Sequence, residues 1–150
     1  MNNSVDFLAL LERVRFVERY GNICKLHSDF SESMSGGDKD KFLEILRVFD
    51  PDVKYVAKEK IFFSQANVDG FLVKIGLVLK NGIVEVFVFF IQDDNWLFHG
   101  RFDSVAGKIL TGFKEKFKLP RYSSYLELKD ILAEIFEIFM DIKKELRSQF

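Results

Sequence analysis

The sequence predicts an α+β fold in which an antiparallel four-stranded meander is packed by N-terminal helices and a long C-terminal amphipathic helix. Three observations predict it. Apolar residues recur at helical spacing before residue 50 and again after residue 123, whereas the middle of the chain alternates around an Asn81-Gly82 turn. Because helices and strands occur in separate runs, helices on an antiparallel sheet are favoured over an alternating parallel plan. The 150 residues are expected to form one domain, 1–150.

Two helices are predicted before the sheet. The first covers residues 4–20 and ends at Gly21, and the second covers residues 38–50, after which a proline blocks continuation. The intervening residues 22–37 are rich in Ser and contain a Gly-Gly pair, so they are predicted to form a loop. Its first part, 23–26, is also compatible with a short strand.

The Asn81-Gly82 dipeptide predicts a two-residue type I′ turn, and this turn fixes the register of the hairpin around it. On the expected core side, the pairs are Leu79 with Val84, Leu77 with Val86, Ile75 with Val88 and Val73 with Phe90. On the opposite side, they are Val78 with Glu85, Gly76 with Phe87, Lys74 with Phe89 and Leu72 with Ile91. This second face is too apolar for open water and too charged for full burial, so we expect partial cover, most simply from the first helices. If it is uncovered, it is a second candidate binding surface, with Leu72, Phe87 and Phe89 as anchor residues.

Two further strands are predicted, at 60–65 before the hairpin and at 96–102 after it. In the second, the alternation predicts Trp96 on the same face as Phe98. Ser104 is the predicted cap of a third helix that ends before Pro120. The apolar positions predicted for this helix are Val105, Ile109, Phe113 and Phe117.

The last helix has the clearest pattern, since the chain after residue 123 contains no Gly or Pro and Ser124 with Glu127 forms a capping box. Its apolar residues cover an arc of about 160°, wide enough for the helix to be largely embedded. Its acids share an arc of about 80°, which we name the acidic stripe. The acidic stripe comprises Glu127, Asp130, Glu134, Glu137, Asp141 and Glu145.

Like charges four residues apart on a helix repel each other by a few tenths of a kcal/mol. The acidic stripe contains such pairs without an intervening cation, because the basic residues of this helix lie on another sector: Lys129, Lys143, Lys144 and Arg147. Either the acids contact basic groups elsewhere in the fold, or they form the surface for a basic partner. In the second case, Glu134, Glu137 and Asp141 would be its centre.

Recognisable catalytic and cofactor motifs are absent from the sequence. The 35–38 loop lacks the spacing and the Lys-Ser/Thr ending of a phosphate-binding loop, and no G-x-S-x-G elbow occurs. Cys24 and His27 form only half of a zinc motif. We therefore expect no cofactor and no metal. A net charge of −1 argues against a nucleic-acid binder, and the lack of a long apolar run predicts a cytoplasmic protein without membrane contact.

Two groups of polar residues keep alternatives open. His99 lies near Asp93, Asp94 and Arg101, where a general base or a small-ligand site could form, although turn chemistry also explains the two acids. A group of basic residues, which we name the basic tract, could contact phosphates or lipid. Alternatively, it is the solvent-exposed face of a helix and of the loop that follows it. It comprises Lys108, Lys114, Lys116, Lys118 and Arg121.

The acidic C-terminal helix from Glu127 to Glu145, the Phe-rich meander from Ile61 to Phe102 and the short α+β chain resemble the small immunity proteins of bacterial contact-dependent growth inhibition and other polymorphic toxin systems. The resemblance implies a non-catalytic protein that binds a cognate toxin domain, often a nuclease with a basic groove, and occludes its active site. One alternative is a chaperone for a secreted effector, which an uncovered apolar sheet face would favour. Another is a ligand-binding protein or enzyme that uses His99.

Overall fold

The computed structural model describes residues 5–29, 31, 33–110 and 117–150. The helices are α1 (Phe7–Arg13), α2 (Phe16–Leu26), α3 (Lys39–Phe49), α4 (Phe102–Ile109) and α5 (Tyr125–Arg147). The strands are β1 (Lys54–Val56), β2 (Ile61–Val68), β3 (Phe71–Lys80), β4 (Ile83–Gln92) and β5 (Asn95–Arg101). All five pair antiparallel in chain order. The predicted α+β class is confirmed, but the strand count of four was wrong, because three-residue β1 is too short to show an alternating pattern.

The N-terminal helix predicted as one element is two helices. Val14 ends α1, and Arg15 has a left-handed backbone conformation with φ of 59°, which breaks the helix before α2 begins. Gly21 does not end α2; the helix continues through residues 23–26, where a strand had been an alternative. A Cβ at Gly21 would lie 3.3 Å from Cε1 of Phe117, so this glycine permits a close approach within a helix.

The predicted central hairpin is confirmed in full, including all eight residue pairs derived from its turn. Asn81 and Gly82 have φ angles of 54° and 73°, as a type I′ turn requires. The inner face of β3 and β4 is buried, and its residues pack in the hydrophobic core. The register therefore follows from local turn chemistry.

The predicted alternation along β5 was wrong at its start. A bulge interrupts the register, so that Phe90 pairs with Phe98 but Ile91 pairs with Trp96. The extra residue, Leu97, turns Trp96 onto the outer face of the sheet, away from Phe98, which packs in the core.

The third predicted helix is shorter than expected and begins earlier. The residue before α4 is Arg101, so Ser104 lies inside the helix and does not cap it. The helix ends at Ile109; Phe113 lies outside the described residues, and Phe117 is not helical. After it, Arg121 forms an antiparallel bridge with Ile83.

The helices pack on the inner face of the sheet. The ring of Phe7 on α1 lies 4.3 Å from the ring of Phe90 and 5.8 Å from that of Phe98. The C-terminal helix α5 contacts α1, α2, α3 and β2, and its wide apolar arc is buried as predicted. The outer face of the sheet remains partly exposed. Within the described ranges, no helix is long and apolar enough to cross a membrane.

Candidate protein-binding surface

The fold divides the acidic stripe into paired and unpaired acids. Three of the six carboxylates bind basic side chains of α1, α2 and the residue after α2. These contacts join Glu127 to Nδ1 of His27 at 2.7 Å, Asp141 to Nη1 of Arg19 at 2.8 Å, and Glu145 to Nε of Arg13 at 2.6 Å. Half of the stripe therefore fastens α5 to the N-terminal helices.

The other three acids, Asp130, Glu134 and Glu137, form what we name the acidic ridge. All three are exposed. Within the part of the chain that the structure describes, no hydrogen bond or ion pair reaches their side chains. Asp130 and Glu134 are four residues apart on α5, a spacing at which like charges repel each other. This is the charge pattern expected of a surface that meets a cationic partner.

A groove of about 490 Å³ runs beside the acidic ridge, between α2 and α5. Its apolar lining comes from Leu26, which is 77 % exposed, from Ala133 and from the buried Ile23. Asp130 and Glu134 line it on the α5 side, and Arg19 and His27, each bound to an acid of the stripe, line it on the side of α2. A second hollow, of about 340 Å³, lies between α5, α3 and β2 and includes Glu137. The acidic ridge thus stands between two concave surfaces, one of which offers apolar contacts next to negative charge.

Glu127 holds the beginning of α5. The Ser124 hydroxyl accepts a hydrogen bond from the Glu127 backbone N–H at 3.1 Å, and the Glu127 carboxylate accepts one from the Ser123 N–H at 2.7 Å. The predicted cap at Ser124 is therefore present. The Glu127 carboxylate accepts its hydrogen bond from the N–H of Ser123, the residue before the cap, and not from the N–H of the cap residue itself. Burial opposes ionisation of Glu127, but the hydrogen bonds from His27 and Ser123 outweigh it and lower the pKa of this carboxyl.

The structure does not assemble the polar group around His99. Its imidazole stacks on Phe89, with ring centroids 6.3 Å apart, and meets the edge of Trp96 at 5.3 Å. Asp93 and Asp94 occupy the β4–β5 turn with φ angles of 51° and 64°, which confirms their role in turn chemistry. Among the described residues, no hydrogen bond or ion pair joins His99 to either acid.

Arg101 is engaged elsewhere. Its Nε and Nη2 donate to the two carboxylate oxygens of Asp103 at 2.6 and 2.9 Å, and Nη1 lies 3.4 Å from Glu85. The hydrogen bonds to Asp103 raise the pKa of the guanidinium against the opposing effect of burial. This cluster fixes the end of β5 and the start of α4.

Aromatic side chains cover much of the outer sheet face. Phe89 is their centre, with ring centroids 6.1 Å from Phe63, 6.5 Å from Phe87 and 5.4 Å from Trp96. We name these four residues with His99 the aromatic face. The Lys74 ammonium lies 4.1 Å from the Phe63 ring centroid. The face that sequence reasoning expected to be partly covered by the first helices lacks that cover, since those helices pack on the inner face.

Sequence reasoning singled out Leu72, Phe87 and Phe89 on this outer face but missed Phe63 and Trp96. All three of the predicted residues are half-buried. Phe63 pairs with Gly76, and that pairing depends on the β2–β3 register, for which no turn as diagnostic as Asn81-Gly82 exists. The bulge at Leu97 places Trp96 on the outer face of the sheet, opposite to the face that the alternation of β5 predicts. A signal for Phe63 existed in the alternation of β2, whereas none marked the bulge.

The remaining ligand candidates do not converge. Cys24 is buried, and burial raises the pKa of its thiol to about 11. His27 binds Glu127. Among the described residues, no group of three or more His, Cys, Asp or Glu side chains could hold a metal ion. In the basic tract, Lys114 and Lys116 lie outside the described residues, and Arg121 is tied to Ser33 through Nη1 at 3.3 Å.

The chain matches no protein-family model, and comparison with curated proteins and with solved structures finds no significant similarity.

Proposed function

We propose that this protein is a non-catalytic immunity protein that binds a cognate bacterial toxin domain through the acidic ridge and neutralises it by covering its active site. The observation that carries the proposal is the set of three exposed carboxylates, Asp130, Glu134 and Glu137, that have no partner in the described structure. The expected centre of the interface therefore moves away from Asp141, which already binds Arg19.

The proposed partner is a protein with a basic surface, such as a nuclease domain whose groove binds phosphates. The acidic ridge would face the Lys and Arg residues of that groove, and complementary charge accelerates association and fixes orientation. Leu26, which is exposed, and the half-buried Ala133 supply apolar area beside the ridge for such a contact. Glu127, Asp141 and Glu145 hold α5 in place and extend the negative field.

The test uses the toxin domain encoded by the adjacent reading frame. Cells that express this domain are expected to stop growing, and co-expression of the wild-type protein should restore growth. The triple variant Asp130→Lys, Glu134→Lys, Glu137→Lys should fail to restore it. A matched control reverses three exposed acids away from α5, at Glu12, Glu44 and Glu59, and should still protect. Protection by the ridge variant, or the lack of a toxin gene beside this one, would contradict the proposal.

A chaperone for a secreted effector is the second candidate, and the uncovered aromatic face favours it. Such a chaperone would hold an apolar segment of its effector on Phe87, Phe89 and Trp96. The two candidates differ in what a Phe89→Asp substitution does: it should abolish binding by a chaperone and leave toxin neutralisation through the acidic ridge intact. An enzyme that uses His99 has no comparable support, because the structure pairs His99 with aromatic rings.

A further inference from the structure

A hollow of about 270 Å³ lies at one end of the sheet, beside the start of α3. At this end β1 and β3 finish and β2 begins, since the three strands pair antiparallel in chain order. No residue of α5 lines the hollow, so it is separate from the acidic ridge. Its apolar and aromatic lining comprises Phe42, Tyr55, Phe62, Val78 and Leu79.

The charged residues that line this hollow are all lysines. Lys39 begins α3, Lys60 precedes β2 and Lys80 ends β3, and all three residues are exposed. Within the described ranges, no Asp or Glu lines the hollow, and no hydrogen bond or ion pair reaches the three ammonium groups. A cleft with charges of one sign and apolar walls concentrates its electric field on an ion of the opposite sign. We name this hollow the lysine pocket.

The acids next to these lysines in the chain do not pair with them. Asp38 caps α3, and its carboxylate accepts a hydrogen bond from the backbone N–H of Asp40 at 2.9 Å. Glu59 precedes Lys60 but does not line the pocket, and no described ion pair joins it to a lysine. The positive charges of the lysine pocket therefore have no direct partner within the described part of the chain.

The lysine pocket also offers a hydroxyl group and an aromatic ring. The Tyr55 ring centroid lies 4.6 Å from that of Phe62 and 5.7 Å from Nζ of Lys39. Among the residues that the structure describes, none forms a hydrogen bond with the Tyr55 hydroxyl. Three cationic donors and one hydroxyl thus lie beside apolar and aromatic surface.

This combination identifies the chemical class of the ligand. Three ammonium groups exceed the charge of one carboxylate, whereas a phosphate monoester carries about −1.5 to −2 charges at pH 7 and offers three acceptor oxygens. A lysine ammonium binds phosphate as a point charge, so no planar geometry is required of the three side chains. The volume lies just below the range of about 300–1,000 Å³ that is typical of ligand pockets, which indicates a small ligand.

We propose that the lysine pocket binds a small phosphate monoester that carries a planar ring. The phosphate contacts Lys39, Lys60 and Lys80, and the ring lies against Tyr55 and Phe62. Mononucleotides and phosphotyrosine side chains both present this chemistry. The site shares no residue with the acidic ridge, so the proposed toxin binding and this site stand or fall separately.

Titration of the purified full chain with phenyl phosphate at low salt, followed through its backbone amide NMR signals, tests the site. The signals of residues 37–39, 60–62 and 78–80 should shift, with a dissociation constant below about 1 mM. Inorganic phosphate lacks the ring and should bind at least about tenfold more weakly. Phenyl phosphate that shifts none of these signals up to about 10 mM, or that binds no more tightly than inorganic phosphate, would overturn the proposal.

Two double variants separate the pocket from the overall charge of the protein. Lys60→Gln with Lys80→Gln should raise the dissociation constant for phenyl phosphate at least about tenfold at low salt. The matched control is Lys129→Gln with Lys144→Gln, which removes the same charge from exposed positions of α5. It should change the constant by less than about twofold. Equal constants in the two double variants would contradict binding in the lysine pocket.

Uridine monophosphate and a peptide that contains phosphotyrosine distinguish the two sources of the ligand. Tighter binding of uridine monophosphate than of phenyl phosphate would assign the pocket to a free nucleotide. Tighter binding of the peptide would assign it to a phosphorylated protein. In either case the same double variant, Lys60→Gln with Lys80→Gln, should weaken the binding, and an unchanged affinity would overturn the proposal.

Discussion

At the scale of single residues, Glu127 combines two roles that sequence reasoning kept apart. It was predicted both as part of a helix cap and as part of a binding surface. Its carboxylate caps the start of α5 through Ser123 and binds His27 at 2.7 Å. A carboxylate that accepts several hydrogen bonds serves the fold, so Glu127 contributes mainly to stability.

Glu127→Gln should lower the free energy of unfolding by about 1 kcal/mol at pH 7, since the amide cannot accept all the hydrogen bonds of the carboxylate. The folded-state pKa of Glu127 is lowered below its ordinary value of 4.5. The stabilisation is therefore full above roughly pH 5 and disappears as the pH falls through the folded-state pKa. Urea unfolding at pH 7 and at about pH 3 measures this difference. Glu137→Gln is the control, and it should change the free energy of unfolding by less than about 0.5 kcal/mol. Equal effects of the two substitutions at pH 7 would contradict the stabilising role assigned to Glu127.

Cys24 should be inert in the folded protein. Burial raises its pKa to about 11, and the thiolate is the reactive form, so at pH 8 alkylation should be at least about 100-fold slower than in the unfolded chain. Iodoacetamide labelling with and without denaturant, followed by mass spectrometry, gives both rates. Similar rates in the two states would show that the thiol is accessible.

At the scale of elements, the break between α1 and α2 rests on one residue. Arg15 holds a left-handed conformation that costs a non-glycine residue about 1–2 kcal/mol, and its ion pair with Glu18 is exposed and weak. Arg15→Gly should therefore raise the free energy of unfolding by about 0.5–1 kcal/mol, after the entropy of glycine is counted. The control Glu12→Gly, inside α1, should lower it by about 1 kcal/mol. Thermal unfolding compares the two, and a destabilising Arg15→Gly would contradict the assigned break.

The elements that could be predicted from sequence are those with local determinants. Asn81-Gly82 imposes its turn and hence its register, and Ser124 with Glu127 marks the start of α5, so both predictions were correct. The break at Arg15 and the bulge at Leu97 have no such marker. They arise where tertiary packing overrides a continuous apolar pattern, which a periodicity cannot reveal.

At the scale of the whole molecule, a net charge of −1 averages over surfaces of different character. Sequence periodicity predicted one acidic stripe on α5, and the fold shows that half of it binds Arg13, Arg19 and His27 near the N-terminus. Which acids remain unpaired depends on contacts between residues 100 or more positions apart in the chain, so the acidic ridge could not be separated from the stripe by sequence alone. The aromatic face likewise required knowing on which side of the sheet the helices pack.

The central claim is that the acidic ridge binds the toxin domain encoded by the adjacent reading frame. The most direct test is the affinity of this protein for that domain, measured at low and at high salt. For the wild type, the dissociation constant should be lowest at low salt and should rise with ionic strength. The variant Asp130→Lys, Glu134→Lys, Glu137→Lys should bind at least about 100-fold more weakly at low salt, chiefly through slower association. The variant reversed at Glu12, Glu44 and Glu59 should bind as the wild type does. An affinity that is independent of salt and equal in all three proteins would contradict a role for the acidic ridge.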